Sequence, residues 1–167
     1  MNEVIKVGMA DYKIAKFPKS LTTLGLGSCV GICLYDRRTK TIGMAHIMLP
    51  SSKKIRNNKN KYKFADTALV LMLDEMEKEG VNLRNLIAKI AGGAKMFNFE
   101  SISEAMNVGK RNSEAVRELL NNLSIKIIAD DCGGNFGRTI IFDSNNGDLK
   151  VKTIGHGTKV IWGAIIC

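Results

Sequence analysis

Cys29-Val30-Gly31-Ile32-Cys33-Leu34-Tyr35-Asp36 runs through Arg37-Arg38-Thr39-Lys40 into Thr41-Ile42-Gly43-Met44-Ala45-His46-Ile47-Met48-Leu49. Two apolar runs separated by four polar residues predict a β-hairpin of strands 30–36 and 41–49. With Arg38-Thr39 at the centre of the turn, Arg37 opposes Lys40. The same register carried back along the strands sets His46 opposite Gly31. Cys29 and Cys33 are then the two diagonal neighbours of His46 on one face, with Cβ atoms about 7 Å or less from that of the histidine. A slip of one residue would turn the imidazole to the other face.

Register alone does not choose between the two thiols; backbone chemistry does. Leu24-Gly25-Leu26-Gly27-Ser28 leads into Cys29, which places this thiol at the head of its strand. There the amides of Ser28 and Cys29 are not committed to a ladder and can hold an oxyanion. Gly25 and Gly27 allow a substrate chain to come close. Cys33 lies mid-strand between Ile32 and Leu34, where a free thiol is ordinarily a packing group. Cys29 is therefore the expected nucleophile and His46 its base. Thr23, at the end of the preceding strand, can fix the ring through its hydroxyl or its carbonyl. By pattern alone a second reading stands beside this one, in which Cys29 and His46 are core residues.

Outward from the hairpin, residues 6–16 and 20–24 read as strands. Phe64, Ala68, Leu71, Met72 and Met76 recur at helical spacing, which predicts a helix over 63–79 ended by Gly80. A buried strand is expected at 86–91, closing in Gly92-Gly93-Ala94. A second helix is expected over 113–123, capped by Asn112 or Ser113. Strands follow at 125–129, 139–143, 149–154 and 160–166, the last of them buried. Strands at both ends with helices between them indicate an α/β fold, a layered sandwich whose sheets are antiparallel or mixed. A chain of 167 residues accommodates one such domain, residues 1–167.

Hydrophobic content of 45% with 25% charged residues is ordinary for a globular protein. Neither a signal-peptide segment nor an apolar run of spanning length is present, so a cytoplasmic protein with no membrane insertion is expected. Its four cysteines then read as reduced thiols. Four residues apart in a strand, Cys29 and Cys33 would have Cα atoms about 13 Å apart, beyond the roughly 7 Å a disulfide tolerates. The net charge of +9 favours acidic partners. Much of it is concentrated in Lys53, Lys54, Arg56, Lys59, Lys61 and Lys63, either a solvated loop or a docking surface for an acidic protein. No nucleic-acid motif accompanies these cations, and only Tyr62 interleaves them, so nucleic acid is not an expected partner. Ligand spacings for a metal are missing, and no cofactor is expected. Gly133-Gly134-Asn135-Phe136-Gly137-Arg138 lacks phosphate-loop spacing and leads into a strand, so it reads as a turn. His156, between two glycines, reads as an exposed turn residue.

Five segments together resemble the CheD family of chemoreceptor glutamine deamidases. They are Leu24-Gly25-Leu26-Gly27-Ser28-Cys29-Val30, Gly43-Met44-Ala45-His46-Ile47-Met48-Leu49-Pro50, Gly92-Gly93-Ala94-Lys95-Met96-Phe97, Val108-Gly109-Lys110-Arg111-Asn112 and Asp131-Cys132-Gly133-Gly134-Asn135-Phe136-Gly137-Arg138. The resemblance runs over nearly the whole chain, in the family's order. It implies an α/β sandwich related in catalytic layout to toxin deamidases, with a Cys–His–Thr site matching Cys29, His46 and Thr23. It further implies that receptor glutamine side chains become glutamate in bacterial or archaeal chemotaxis, glutamyl methyl esters being able to follow the same route. The implied substrates are the cytoplasmic helices of methyl-accepting chemoreceptors. A CheC-type phosphatase is the implied second partner, and an adaptor that regulates it without enzymatic activity is the alternative function.

Overall fold

A computed structural model describes residues 3–53, 55–96, 107–153, 155 and 157–161. Among the described residues ten strands form two five-stranded sheets. The first sheet runs β1 (Val4–Lys6), β3 (Ser20–Leu26), β8 (Arg138–Asp143), β9 (Leu149–Thr153), β10 (Gly157–Ile161). The second runs β2 (Asp11–Lys16), β5 (Thr41–Ile47), β4 (Val30–Asp36), β6 (Ile87–Gly92), β7 (Lys126–Cys132). Each sheet holds one parallel pair, β1 with β3 and β6 with β7, and is otherwise antiparallel. The fold is thus α/β with mixed sheets, as expected.

Strand alternation divides the hairpin residues between two cores. Val30, Ile32 and Leu34 of β4, with Ala45 and Ile47 of β5, face helices α1 (Ala65–Lys78) and α2 (Val108–Asn122). Helix α1 contributes Ala65, Ala68, Leu69, Met72, Leu73 and Met76 to that layer; truncating Met72 to Ala there would cost about 2–5 kcal/mol. The opposite face of β4 and β5 presents Cys33, Tyr35, Ile42 and Met44 to Leu21, Ile140, Phe142 and Val151 of the first sheet. Three layers result: helices, second sheet, first sheet. Among the described residues no helix is long and apolar enough to cross a membrane.

Three expectations are corrected. Residues 6–16 form two strands in different sheets, not one. Val7 donates its amide to Thr22 O at 2.7 Å in the first sheet, and Ala10 donates to His46 O at 3.0 Å in the second. The crossing turn between them uses the left-handed conformation of Ala10 (φ 56°). Helix α2 begins five residues before its expected start, with the Asn107 side chain as cap accepting from the Lys110 amide. Gly109 is required there, because a Cβ would stand 2.2 Å from Ala94 O. The last strand begins at Gly157, three residues early, and its described residues are exposed or half-buried; positions 162–166 of the expected strand lie outside the described residues, as do Lys54, Phe97 and His156. The hairpin register is as expected, with Gly31 opposite His46 and Asp36 opposite Thr41.

Candidate active site

His46 stands on β5, whose inward face points the ring at the first sheet. Thr23 approaches from β3, with its hydroxyl oxygen 2.7 Å from His46 Nδ1. That hydroxyl also donates its hydrogen to Val7 O at 2.7 Å. A hydroxyl has one hydrogen to give, so Thr23 can only accept from the ring. Nδ1 therefore carries the proton and Nε2 carries the lone pair. The expected choice between hydroxyl and carbonyl falls to the hydroxyl.

Beyond Thr23 the ladder to β8 shifts register before Leu26. This bulge turns Leu24 outward, 49% exposed, and the chain passes through Gly25 in the left-handed conformation (φ 69°). It then enters the Gly27-Ser28-Cys29 turn, which the second sheet holds by its backbone. Gly93 N donates to Cys29 O and Ala94 N to Gly27 O, each at 2.8 Å. Gly92 permits that approach: a Cβ there would sit 2.2 Å from Cys29 O. Behind it, Arg138 reaches across from β8 to Gly92 O at 3.2 Å and to Asp131 at 3.1 Å. The amides of Ser28 and Cys29 are tied to no strand ladder, and the Cys29 N–H is directed at its own sulfur.

Cys29 belongs to the inter-sheet core and is 8% exposed, whereas His46 is 1% exposed and Thr23 is sealed. Thiol and imidazole thus share one face, with Gly31 between them supplying no side chain. A Cβ at Gly31 would strike Ile140 Cδ1 at 2.7 Å. No hydrogen bond joins the pair in the resting protein, because His46 Nε2 has no partner. Burial raises the Cys29 thiol above its ordinary pKa and lowers that of His46 to about 4, since a buried charge loses its hydration. The resting groups are therefore a neutral thiol and a neutral imidazole with its Nε2 lone pair free. Cys33, fully buried, is pushed much further up. The described cysteines, Cys29, Cys33 and Cys132, are free thiols.

One residue of the site escaped sequence reasoning in its role. Asn112, assigned as a possible helix cap, lies inside α2 and is fully buried. Its Nδ2 donates to Ser28 O and to Met48 O, each at 2.9 Å. Two carbonyl acceptors fix the carboxamide's orientation, leaving Oδ1 without a partner. Among the described residues, His46 Nε2 and Asn112 Oδ1 are the buried side-chain polar atoms with no hydrogen-bond partner. Each such atom costs about 1–3 kcal/mol, and Asn112 is tied to the residue before Cys29 and to the residue two beyond His46. The signal available in sequence was the asparagine in Arg111-Asn112-Ser113, whose capping preference hid it.

Beside the site, the segment from Pro50 to Phe64 is closed at its base by β5's own continuation. Met48 N donates to Lys63 O at 2.8 Å and Ala65 N to Leu49 O at 2.9 Å. The Asp66 carboxylate holds the loop by accepting from Ser52 N at 3.1 Å and Ser52 Oγ at 3.1 Å. Lys53, Arg56, Lys59 and Lys61 are exposed on it. Among the described residues no group of three His, Cys, Asp or Glu side chains is arranged to hold a metal.

Residues 48–153 match the family model described as CheD chemotactic sensory transduction. That match begins just past His46, but pairwise similarity covers nearly the full chain. A protein of Syntrophomonas wolfei named "Probable chemoreceptor glutamine deamidase CheD" is 56% identical over 161 residues, covering 96% of this chain and 100% of the relative. One of the same name from Caldanaerobacter subterraneus is 56% identical over 160 residues, covering 96% and 99%. A third, from Clostridium kluyveri, is 54% identical over 157 residues, covering 94% and 97%.

Proposed function

The chain belongs to the CheD family, and from that premise we propose that it is a chemoreceptor glutamine deamidase whose nucleophile is Cys29. The observation that carries this reading is the Thr23–His46 hydrogen bond, which leaves Nε2 as a free base on the face that also bears the Cys29 thiol. Nε2 takes the thiol proton as the sulfur attacks the side-chain carbonyl carbon of a receptor glutamine. The negative charge moves to the amide oxygen, where the N–H groups of Ser28 and Cys29, outside any strand ladder, receive it. Gly27 lets the Met96 side chain pack against the turn. His46 then gives its proton to the departing nitrogen, and ammonia leaves a thioester. Water, deprotonated by the same Nε2, hydrolyses the thioester to glutamate and restores the thiol. A glutamyl methyl ester fits the same sequence, with methanol leaving in place of ammonia. Thr23 accepts from Nδ1 throughout and, tied to Val7 O, keeps the ring from rotating.

The exposed Leu24 beside Thr23, and Met96, 46% exposed and lying over Gly27, offer apolar contact for a helix carrying the target glutamine. The basic loop, anchored two residues beyond His46, suits an acidic stretch of that receptor surface. The same lip also suits a second partner, a CheC-type phosphatase, whose binding would not need the thiol. The whole chain, residues 1–167, acts in this account as one domain in the cytoplasm.

Mass spectrometry of a chemoreceptor cytoplasmic fragment tests the activity. Each modified glutamine gains about one dalton when amide becomes acid by the cysteine route, and Cys29→Ala abolishes the gain while keeping any phosphatase binding. A wild-type protein that leaves every receptor glutamine unchanged would sink the deamidase reading in favour of the adaptor.

A further inference from the structure

We propose that Asn112 is a positioning residue of the deamidation site, acting on the Ser28–Cys29 peptide. This deepens the reading above and rests on Cys29 being the nucleophile. Ser28 O and Cys29 N belong to the same peptide unit. A carboxamide donating to that carbonyl at 2.9 Å sets the plane in which the Cys29 N–H points. It also draws electrons from the peptide toward the carbonyl oxygen, which makes the N–H a stronger donor to an oxyanion. The second Nδ2 hydrogen goes to Met48 O, two residues beyond His46. One side chain thereby ties the turn that carries the nucleophile to the strand that carries the base.

The arrangement is not what packing alone favours. Asn112 sits in the second turn of α2 with no exposure and leaves Oδ1 unpartnered, whereas neighbouring inward positions such as Val116 and Leu120 are apolar. An apolar residue at 112 would leave the Ser28 and Met48 carbonyls without this donor. A local cost accepted beside the reacting groups is the pattern expected of a residue that serves chemistry.

The test compares Asn112→Ala with Ser144→Ala, in which another fully buried side chain loses its bond to a backbone carbonyl, Lys19 O, in the turn between β8 and β9. Asn112→Ala should lower kcat for receptor-fragment deamidation by about 30- to 100-fold, with KM within about threefold. Alkylation of Cys29 by iodoacetamide needs no oxyanion donor, so its rate per folded molecule should also stay within about threefold. Ser144→Ala should lose stability and keep kcat. Equal kcat in Asn112→Ala and wild type overturns the proposal. So does a fall in kcat that merely tracks the folded fraction or the alkylation rate. If Asn112→Ala does not fold, Asn112→Ser retains one donor and should fold with kcat between the two. Failure of both to fold overturns the proposal, because Asn112 would then serve folding. Cys29→Ala assayed alongside separates the premises: deamidation persisting there removes the nucleophile, whatever Asn112 does.

Discussion

The head and the middle of β4 each carry a cysteine, and both flank His46 on the same face of the same sheet. Cys33 is wholly buried and opposes Lys89 and Met44 within complete ladders on both sides. Its backbone has nothing left to offer a substrate, and burial holds its thiol far from ionisation. Cys29 stands one residue before the ladder begins, with its carbonyl spent on Gly93 but its amide outside any ladder and its side chain marginally exposed. Two residues with identical side chains and equivalent relations to one imidazole thus differ in backbone commitment and access. The residue just before a strand can be reactive where the strand's fourth is packing.

The sharpest way to break this contrast is to remove each thiol in turn. Cys29→Ala should reduce deamidation by roughly 10³-fold or more, while Cys33→Ala leaves it within about twofold, as read by receptor-fragment mass spectrometry. Next in size is a pH effect on the base that the two thiols share. The unfolded chain protonates His46 near pH 6.5, but the folded chain resists until about pH 4. Between those values the unfolded state binds more protons, so stability is lost as pH falls from 6.5 toward 4. The loss is at most about 3 kcal/mol. Urea unfolding of wild type against His46→Gln should show this dependence in the former and its flattening in the latter; parallel curves would mean the imidazole is not held neutral.

A smaller change is expected from Thr23→Val, which keeps the shape but removes the acceptor of Nδ1–H. The ring loses its fixed tautomer, and kcat should fall about 30-fold with little change in KM. Lowest in the order is the basic loop. Lys53→Gln, Arg56→Gln and Lys59→Gln combined should raise KM for the receptor fragment about tenfold at low salt, an effect that added salt erases. An unchanged KM would reduce that loop to a solvated surface.

The contrast between the two cysteines was legible in sequence because a hairpin's register follows from its turn and from the alternation of its strands. Arg37 to Lys40 and two apolar runs sufficed to oppose Gly31 and His46. The split of residues 6–16 was not legible. Apolar residues recur from Ile5, Val7 and Met9 to Tyr12 and Ile14 without a turn signal strong enough to end a strand, and period-two patterning carries no mark of which sheet a strand joins. Only the positive φ of Ala10 reveals the crossing, and alanine does not announce it. The early start of α2 was hidden for a related reason. Gly109 reads as a poor helix former, yet it is there because the helix's first turn lies against the Gly93-Ala94 backbone. Long-range contacts of this kind determine residue choice without leaving a periodic trace, and the Asn112 bridge to Ser28 and Met48 is another.

The central claim is that the sulfur at the head of β4, not the one in its middle, reacts. Limited treatment with iodoacetamide, peptide mapping of the labelled cysteines and a deamidation assay on the same samples test it together. The account predicts that activity falls in proportion to label at Cys29, and that His46→Gln slows that labelling while Cys33 stays unmodified in the folded protein. Full activity with Cys29 completely labelled, or inactivation that follows label at Cys33 or Cys132, would contradict it.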